Sequence, residues 1–369
     1  MNDSALDKAA ERILIFPFDL MSHYLRCIEL AKRYPQAEIL FASSEKYSSF
    51  VLKAGYKTFD VERFEAVKVM ECVAKFDFSW LNKADVERVF LSHLKAIRLL
   101  KPNRVIGDMS PALKMAAELT HVPYTALMNG YMSRHYSQVR ALPSSHPAHN
   151  YISLFTPAIR KGIIRFAEKI AFRIVHKPFR QLRRKYRLKR VLHYLLEMEG
   201  DENLLCDEAW LFPQKALPKN YRLIGPLLYD TGEKGAVVMD ILPSEKKVIL
   251  VCMGSSGNWQ PLSFLSSSHS ASFIIITAGD VSKTIQGNHV IALEFVSLKE
   301  ILPRCSLLIC HGGNGTIYEG IEHRVPMLCL TSHFEQEWNV QRLEELKLAV
   351  RINDDPQGMV EDHLKKLTI

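Results

Sequence analysis

The sequence has no apolar run of 18 or more residues, so it offers no candidate for a membrane-spanning helix. Its first residues, MNDSALDKAAERI, are polar and lack the apolar middle of a secretion signal. There are seven cysteines and no CxxC pair, which argues against both a disulfide framework and a zinc site. Cys252, Cys305, Cys310 and Cys329 sit in or beside apolar runs, where a thiol serves as a small core residue. No Asp-x-Asp pair is present to hold a divalent metal. Gly and Pro number only 17 each in 369 residues, which excludes collagenous and low-complexity chains. These absences leave a globular protein, expected in the cytoplasm.

What remains is long enough for two domains, with 47% hydrophobic and 24% charged residues. The net charge of +8 is a local feature. Between Arg160 and Arg190 stand 13 Lys or Arg and one acid, Glu168, so that this segment carries +12 and the rest of the chain −4.

The first half alternates short apolar runs with helical patterns. Strands are expected at 13–18, 38–43, 104–107 and 124–128, and helices at 20–34, 45–54, 86–100 and 111–119. The second half repeats this, with strands expected at 247–253, 272–277, 290–293, 306–310 and 327–330 and helices at 317–323 and 336–346. Such alternation implies βαβ units and parallel sheets. We expect two α/β halves, residues 1–230 and 231–369, joined within 225–247. The first half carries a basic helical insertion near 157–199. There Ile163, Ala167, Ile170 and Ile174 share one helical face, while Arg165, Lys169, Arg173 and Lys177 follow another. Pro178 should break this helix, with a second basic helix running to about Gly200.

The strongest chemical signal is His311-Gly-Gly-Asn-Gly-Thr316, between an apolar run and a helical pattern. Strand, Gly-rich turn and helix N-terminus together make an anion site, because free backbone N–H groups and the helix dipole both face the ligand. Gly254-Ser-Ser-Gly257, after VILVCM, would form a second wall of the same character. The alternative is that both are merely tight turns of an α/β sheet.

The segment HGGNGTIYEGIEHRVPMLCLTSHFEQEWN resembles the nucleotide-sugar signature of the UDP-glycosyltransferase family, inverting enzymes of the GT-B fold that include bacterial macrolide and antibiotic glycosyltransferases. The resemblance implies two Rossmann-like domains facing a central cleft, with the donor on the second. It implies a diphosphate held by His311, Gly313, Asn314, Gly315 and Thr316, ribose hydroxyls on Glu319, and sugar hydroxyls on Glu335 and Gln336. Asn339 also matches. Upstream, FVSLKEIL is similar to the family's base-binding stretch, with Phe295 where an aromatic stacks on the base and Leu298 where the family has Gln. Gly254 and Ser255 stand where a Gly-Ser turn contacts phosphate. FPFDLMSHYLRCIELAKRY matches the family's strand, turn and helix, with His23 kept and Ser22 in place of Gly. VIGDMSPALKMAAELTHVPYTAL supplies Asp108, where the family has an acid that orients the histidine.

The implied reaction moves a sugar from a nucleoside diphosphate, UDP by resemblance, to a hydroxyl acceptor. His23 would act as general base and Asp108 would fix its tautomer. The departing diphosphate would be stabilised by the 311–316 turn without a metal. No cofactor is expected beyond the nucleotide-sugar co-substrate. Acceptor, sugar, base and oligomeric state stay open, and so does a nucleotide-sugar-binding module without transferase activity. The peptidoglycan-precursor N-acetylglucosaminyltransferases match less well, because FPFDLMSH lacks their Gly-rich first loop. The segment 160–190 admits a solvated face, an anionic membrane surface that brings the enzyme to a lipid acceptor, or nucleic acid. The last is disfavoured because no nucleic-acid module accompanies the charge.

Overall fold

A computed structural model describes residues 11–143, 146–230, 246–254, 256–267, 272–279 and 284–368. The described chain divides into two compact units. The first comprises the described residues within 1–72, 77–139 and 156–227, and the second those within 73–76, 140–155 and 228–369.

The first unit is built on seven strands: β1 (Arg12–Pro17), β2 (Glu38–Ala42), β3 (Lys57–Phe59), β4 (Arg104–Asp108), β5 (Tyr124–Met128), β6 (Glu202–Leu205) and β7 (Tyr221–Leu223). They lie in the order β3-β2-β1-β4-β5-β6-β7, every pairing parallel. The inner strands are buried almost throughout. A parallel sheet is covered on both faces, so its strands read as continuous apolar runs. The helix Lys83–Leu100 shows how a covering element is specified. Asn82 caps it by accepting from the Asp85 N–H at 3.0 Å, and Val86, Val89, Phe90, His93, Leu94 and Ile97 face inward. Lys101, left-handed at φ 46°, ends it.

The second unit has six strands: β8 (Val248–Cys252), β9 (Ile274–Ala278), β10 (Val290–Leu293), β11 (Cys305–Cys310), β12 (Met327–Cys329) and β13 (Ala349–Arg351). Their order is β10-β9-β8-β11-β12-β13, again all parallel. Ile249, Val251, Trp259, Leu265, Ile275, Leu307, Ile309 and Val360 belong to one core cluster of this unit. Two Rossmann-like parallel sheets are the α/β architecture expected from the alternating pattern.

The basic insertion differs from its expected form. The first helix runs from Pro157 to Val175, and the second stops at Lys185 instead of reaching Gly200. A separate short helix, Tyr194–Met198, follows. Pro178 occupies the first turn of the second helix, where its missing N–H costs nothing.

Candidate functional site

Each sheet reverses its winding direction at one point, where His23 and Asp108 stand in the first and Gly254 and His311 in the second. In the first unit β1 and β4 are neighbours, with Pro17 opposite Asp108. From this pair the chain winds outward both ways, which opens a crevice at the strand carboxyl ends. Phe18 N–H donates to the Asp108 carbonyl at 2.9 Å, so the two strand ends stay together beyond the ladder. His23 stands in the first turn of the helix Met21–Ala31 and Asp108 is the last residue of β4. His23 Nδ1 lies 2.9 Å from Asp108 Oδ1. Asp108 is fully buried and His23 nearly so.

Arg26, one turn after His23, grips the same carboxylate with two donors, Nε on Oδ2 and Nη2 on Oδ1. Its Nη1 donates to Asn129 Oδ1 at 2.6 Å, and Nη2 also lies 3.0 Å from His23 Nδ1. Burial alone would push the Asp108 carboxyl up, but Arg26 and then His23 outweigh it and hold it below the usual carboxylate range. Oδ1 of the ionised Asp108 can accept from a protonated Nδ1, while Arg26 Nη2 can donate to an unprotonated one; the first arrangement leaves the imidazole lone pair on Nε2. Nε2 makes no hydrogen bond among the described residues. The Phe18 ring lies 5.9 Å from that of His23, and Trp80 lies 6.0 Å beyond Phe18.

Sequence reasoning found His23 and Asp108 but missed Arg26 and Asn129. The signal for Arg26 was available. It shares the buried face of its helix with Tyr24, Cys27 and Ile28, and an inward cation demands a carboxylate. Asn129 carried no such signal, because only the pairing of β4 with β5 brings it close.

The second unit repeats the arrangement. Its winding reverses between β8 and β11, with Cys252 opposite Cys310. Gly254 follows β8 and His311 follows β11. The His311 ring is wedged between two glycines: a Cβ on Gly254 would stand 2.7 Å from its Cε1, and one on Gly313 2.3 Å from its Nε2. Gly254 is left-handed at φ 55° and Gly312 at φ 80°. Burial drives the His311 pKa down to about 4, against a backbone hydrogen bond at Cys252. It is therefore neutral at pH 7, and its buried Nδ1 has no hydrogen-bond partner among the described residues.

Gly313 caps the helix Asn314–Glu322. Gly315, in the first turn, faces open space, with nothing within 4 Å of where a Cβ would stand. Thr316 is buried beside it. One turn on, burial raises the Glu319 carboxyl to about 6, helped by Glu322 and Asp230 and opposed by Lys299. Glu319 also lies 3.6 Å from His323. Phe295 is half-buried between β10 and the short helix Leu298–Ile301, which Leu298 opens. Ser255 lies outside the described residues.

Glu335 and Gln336 begin the helix Phe334–Glu345. Gln336 is buried with both ends of its amide engaged. Oε1 accepts from the Ser332 N–H at 2.7 Å, and Nε2 donates to Ser256 Oγ at 3.1 Å. It ties the turn after β8 to the loop after β12. Asn339 donates to the Gly312 carbonyl at 2.9 Å and so shapes the glycine turn. His333, overlooked in the sequence, is also held neutral, at about 4, by burial and the proximity of His311. Its buried Nδ1 has no hydrogen-bond partner among the described residues. Among the described residues no three His, Cys, Asp or Glu are grouped to hold a metal ion.

Residues 295–365 match the family of UDP-glucoronosyl and UDP-glucosyl transferases. The chain is 22% identical over 343 residues to a PGL/p-HBAD biosynthesis rhamnosyltransferase of Mycobacterium bovis, covering 91% of this chain and 75% of that one. Among solved structures, the spinosyn rhamnosyltransferase SpnG superposes with a TM-score of 0.66 at 15% identity, covering 95% and 89% of the two chains. The glycosyltransferase VinC in complex with DTDP superposes with a TM-score of 0.59 at 18% identity, covering 92% and 86%. The chain is a glycosyltransferase of the GT-B fold, and its residues 295–365 carry the UDP-glycosyltransferase segment.

Proposed function

We propose that this chain transfers a sugar from a nucleoside diphosphate to a hydroxyl acceptor with inversion, His23 acting as general base. The observation that carries the reading is the His23–Asp108 contact of 2.9 Å through Nδ1, which in the Nδ1-protonated tautomer leaves Nε2 for the acceptor. The acceptor hydroxyl gives its proton to Nε2 as its oxygen attacks the anomeric carbon from the face opposite the diphosphate. The bond from that carbon to the diphosphate oxygen breaks and the oxygen keeps the electron pair. One displacement inverts the centre. The imidazolium formed at His23 faces the ionised Asp108, which stabilises it.

The leaving diphosphate rests at the N-terminus of the helix Asn314–Glu322, where unpaired N–H groups and the dipole meet growing negative charge. Gly315 leaves room for it, and Nδ1 of His311, without a partner among the described residues, supplies a further polar contact. These groups supply the positive end without a metal. UDP is the first candidate because residues 295–365 match the UDP-sugar family. dTDP is the second, because Leu298 stands where that family has Gln and VinC was solved with DTDP. Carboxylate and amide at Glu335 and Gln336 suit several hexoses, and rhamnose enters the screen through the named relatives. A lipid or lipid-linked acceptor is the narrower reading, favoured by the helix Pro157–Val175, none of whose residues is buried.

Calorimetry with UDP, dTDP and GDP and their sugars, with and without Mg²⁺, tests the donor. We expect metal-independent binding of one diphosphate, weakened by Glu319→Ala. His23→Ala should keep that affinity while transfer falls by roughly 10²–10⁴-fold. Equal loss of binding and transfer would refute the assignment of His23. Unchanged activity would favour a binding module.

A further inference from the structure

The helix Pro157–Val175 presents an apolar stripe to solvent. Ile159, Ile163, Phe166, Ile170 and Ile174 recur at i, i+4, i+7, i+11 and i+15, the spacing of one helical face. All five are exposed, Phe166 at 68% and Ile174 at 66%. The opposite face, with Ile164, Phe172 and Val175, is the partly covered one, and Phe172 stacks on the buried Tyr194 with ring centroids 6.5 Å apart. The helix is therefore seated with its second apolar face left outward. Water-soluble proteins seldom expose such a contiguous stripe without a partner.

Charge says what that partner is. Lys169 and Arg173 flank the stripe, and Lys177, Arg180 and Arg184 continue the exposed cations into the next helix, whereas Lys161 projects from the far side and Arg165 donates to the Ser137 carbonyl at 3.4 Å. Arg183 and Lys185, by contrast, are engaged by Glu197, Glu118 and Glu87 within the first unit. An apolar stripe bordered by long cationic side chains matches the boundary between acyl chains and anionic headgroups. The isoleucines and Phe166 would enter, while Lys and Arg reach back to phosphate. A second copy of this chain fits less well, because it would set one +12 segment against another. Among the described residues no helix is long and apolar enough to cross a membrane, so contact of this kind would be lateral.

We infer that the stripe 159–174 with its basic border is a docking face for an anionic phospholipid surface. The inference does not depend on the donor or base assignments, so its failure would leave the transfer reading standing.

Sedimentation of the full chain with phosphatidylcholine vesicles, with and without phosphatidylglycerol, tests it. The chain should bind the anionic vesicles, bind neutral ones far less, and release as salt rises. Phe166→Glu with Ile170→Glu should weaken binding at least tenfold, with no fall in melting temperature and no loss of diphosphate binding. Lys169→Gln and Arg173→Gln should each weaken it roughly fivefold. The inference is overturned if the native chain ignores anionic vesicles, or if binding survives the glutamate pair. It is equally overturned if that pair lowers the melting temperature, since the stripe would then be covered within the protein. Conversion of a dimer to a monomer by the pair would assign the face to a second copy instead.

Discussion

Arg26 decides what kind of carboxylate Asp108 is. A fully buried acid left alone would take up a proton, and a protonated Asp108 orients His23 poorly. The two-donor grip of Arg26 keeps it ionised, and Asn129 holds the guanidinium from the far side. Such a pair is costly to break and nearly neutral to replace. Asp108→Asn should therefore destabilise by about 3–5 kcal/mol, because it leaves Arg26 buried without its counter-charge. The pair Arg26→Met with Asp108→Leu should recover most of that loss in thermal melts while transfer stays abolished. Additive losses in the double variant would refute the coupling. It follows that Asp108 is a poor probe of catalysis taken alone, and that His23, whose removal leaves the Arg26–Asp108 pair in place, is the better one.

The helix Asn314–Glu322 does its work through what its first turn lacks. Gly313 and Gly254 admit the His311 ring, whereas Gly315 faces nothing. Alanine substitutions should separate these roles. Gly313→Ala places a Cβ 2.3 Å from His311 Nε2 and should cost about 1–3 kcal/mol through the displaced ring. Gly315→Ala meets no atom of the described residues within 4 Å and should raise stability by up to about 1 kcal/mol through helix propensity. It should still weaken diphosphate binding, because the methyl group would stand in the space proposed for the ligand. Melting curves beside calorimetry give the test, and unchanged affinity at Gly315→Ala would move the diphosphate elsewhere. At this scale much was legible in advance. The strands expected at 38–43, 124–128, 290–293 and 306–310 are found within a residue at each end, since buried parallel strands are plain apolar runs. Strands β3, β7 and β13 are three residues long and were not anticipated, being too short for any periodicity.

Across the whole molecule, buried histidines set the acid limit. Burial holds His93 at about 3 and His311 and His333 at about 4, all below the ordinary 6.5. The unfolded chain therefore takes up these protons first as pH falls. The stability each contributes is complete above about pH 6.5 and is lost between there and about pH 4, or about pH 3 for His93, by at most about 1.4 kcal/mol per pH unit and site. Asp108 acts in the same direction at lower pH, because its depressed carboxyl must be protonated. Melting temperature should fall steadily from pH 6.5 to 4, and His93→Phe should flatten part of that slope. A melt independent of pH in this range would show that these side chains are solvated.

The sequence alone determined the alternation of elements and the Gly-rich turn at 311–316, because these depend on local pattern and residue chemistry, while His23 and Asp108 were singled out by the family resemblance. Tertiary structure decided the rest. Strand order makes β1 a neighbour of β4 and β8 a neighbour of β11, and so joins His23 to Asp108 and Gly254 to His311. The described residues within 140–155 come from the first half of the sequence yet pack in the second unit. There the Ala141 carbonyl accepts from Trp338 at 2.8 Å and the Ala141 N–H donates to Gln341 at 3.1 Å. Periodicity identified an apolar face at 163–174 but not whether it would be covered. An amphipathic pattern says which side is apolar, while only packing against the rest of the chain says which side meets water.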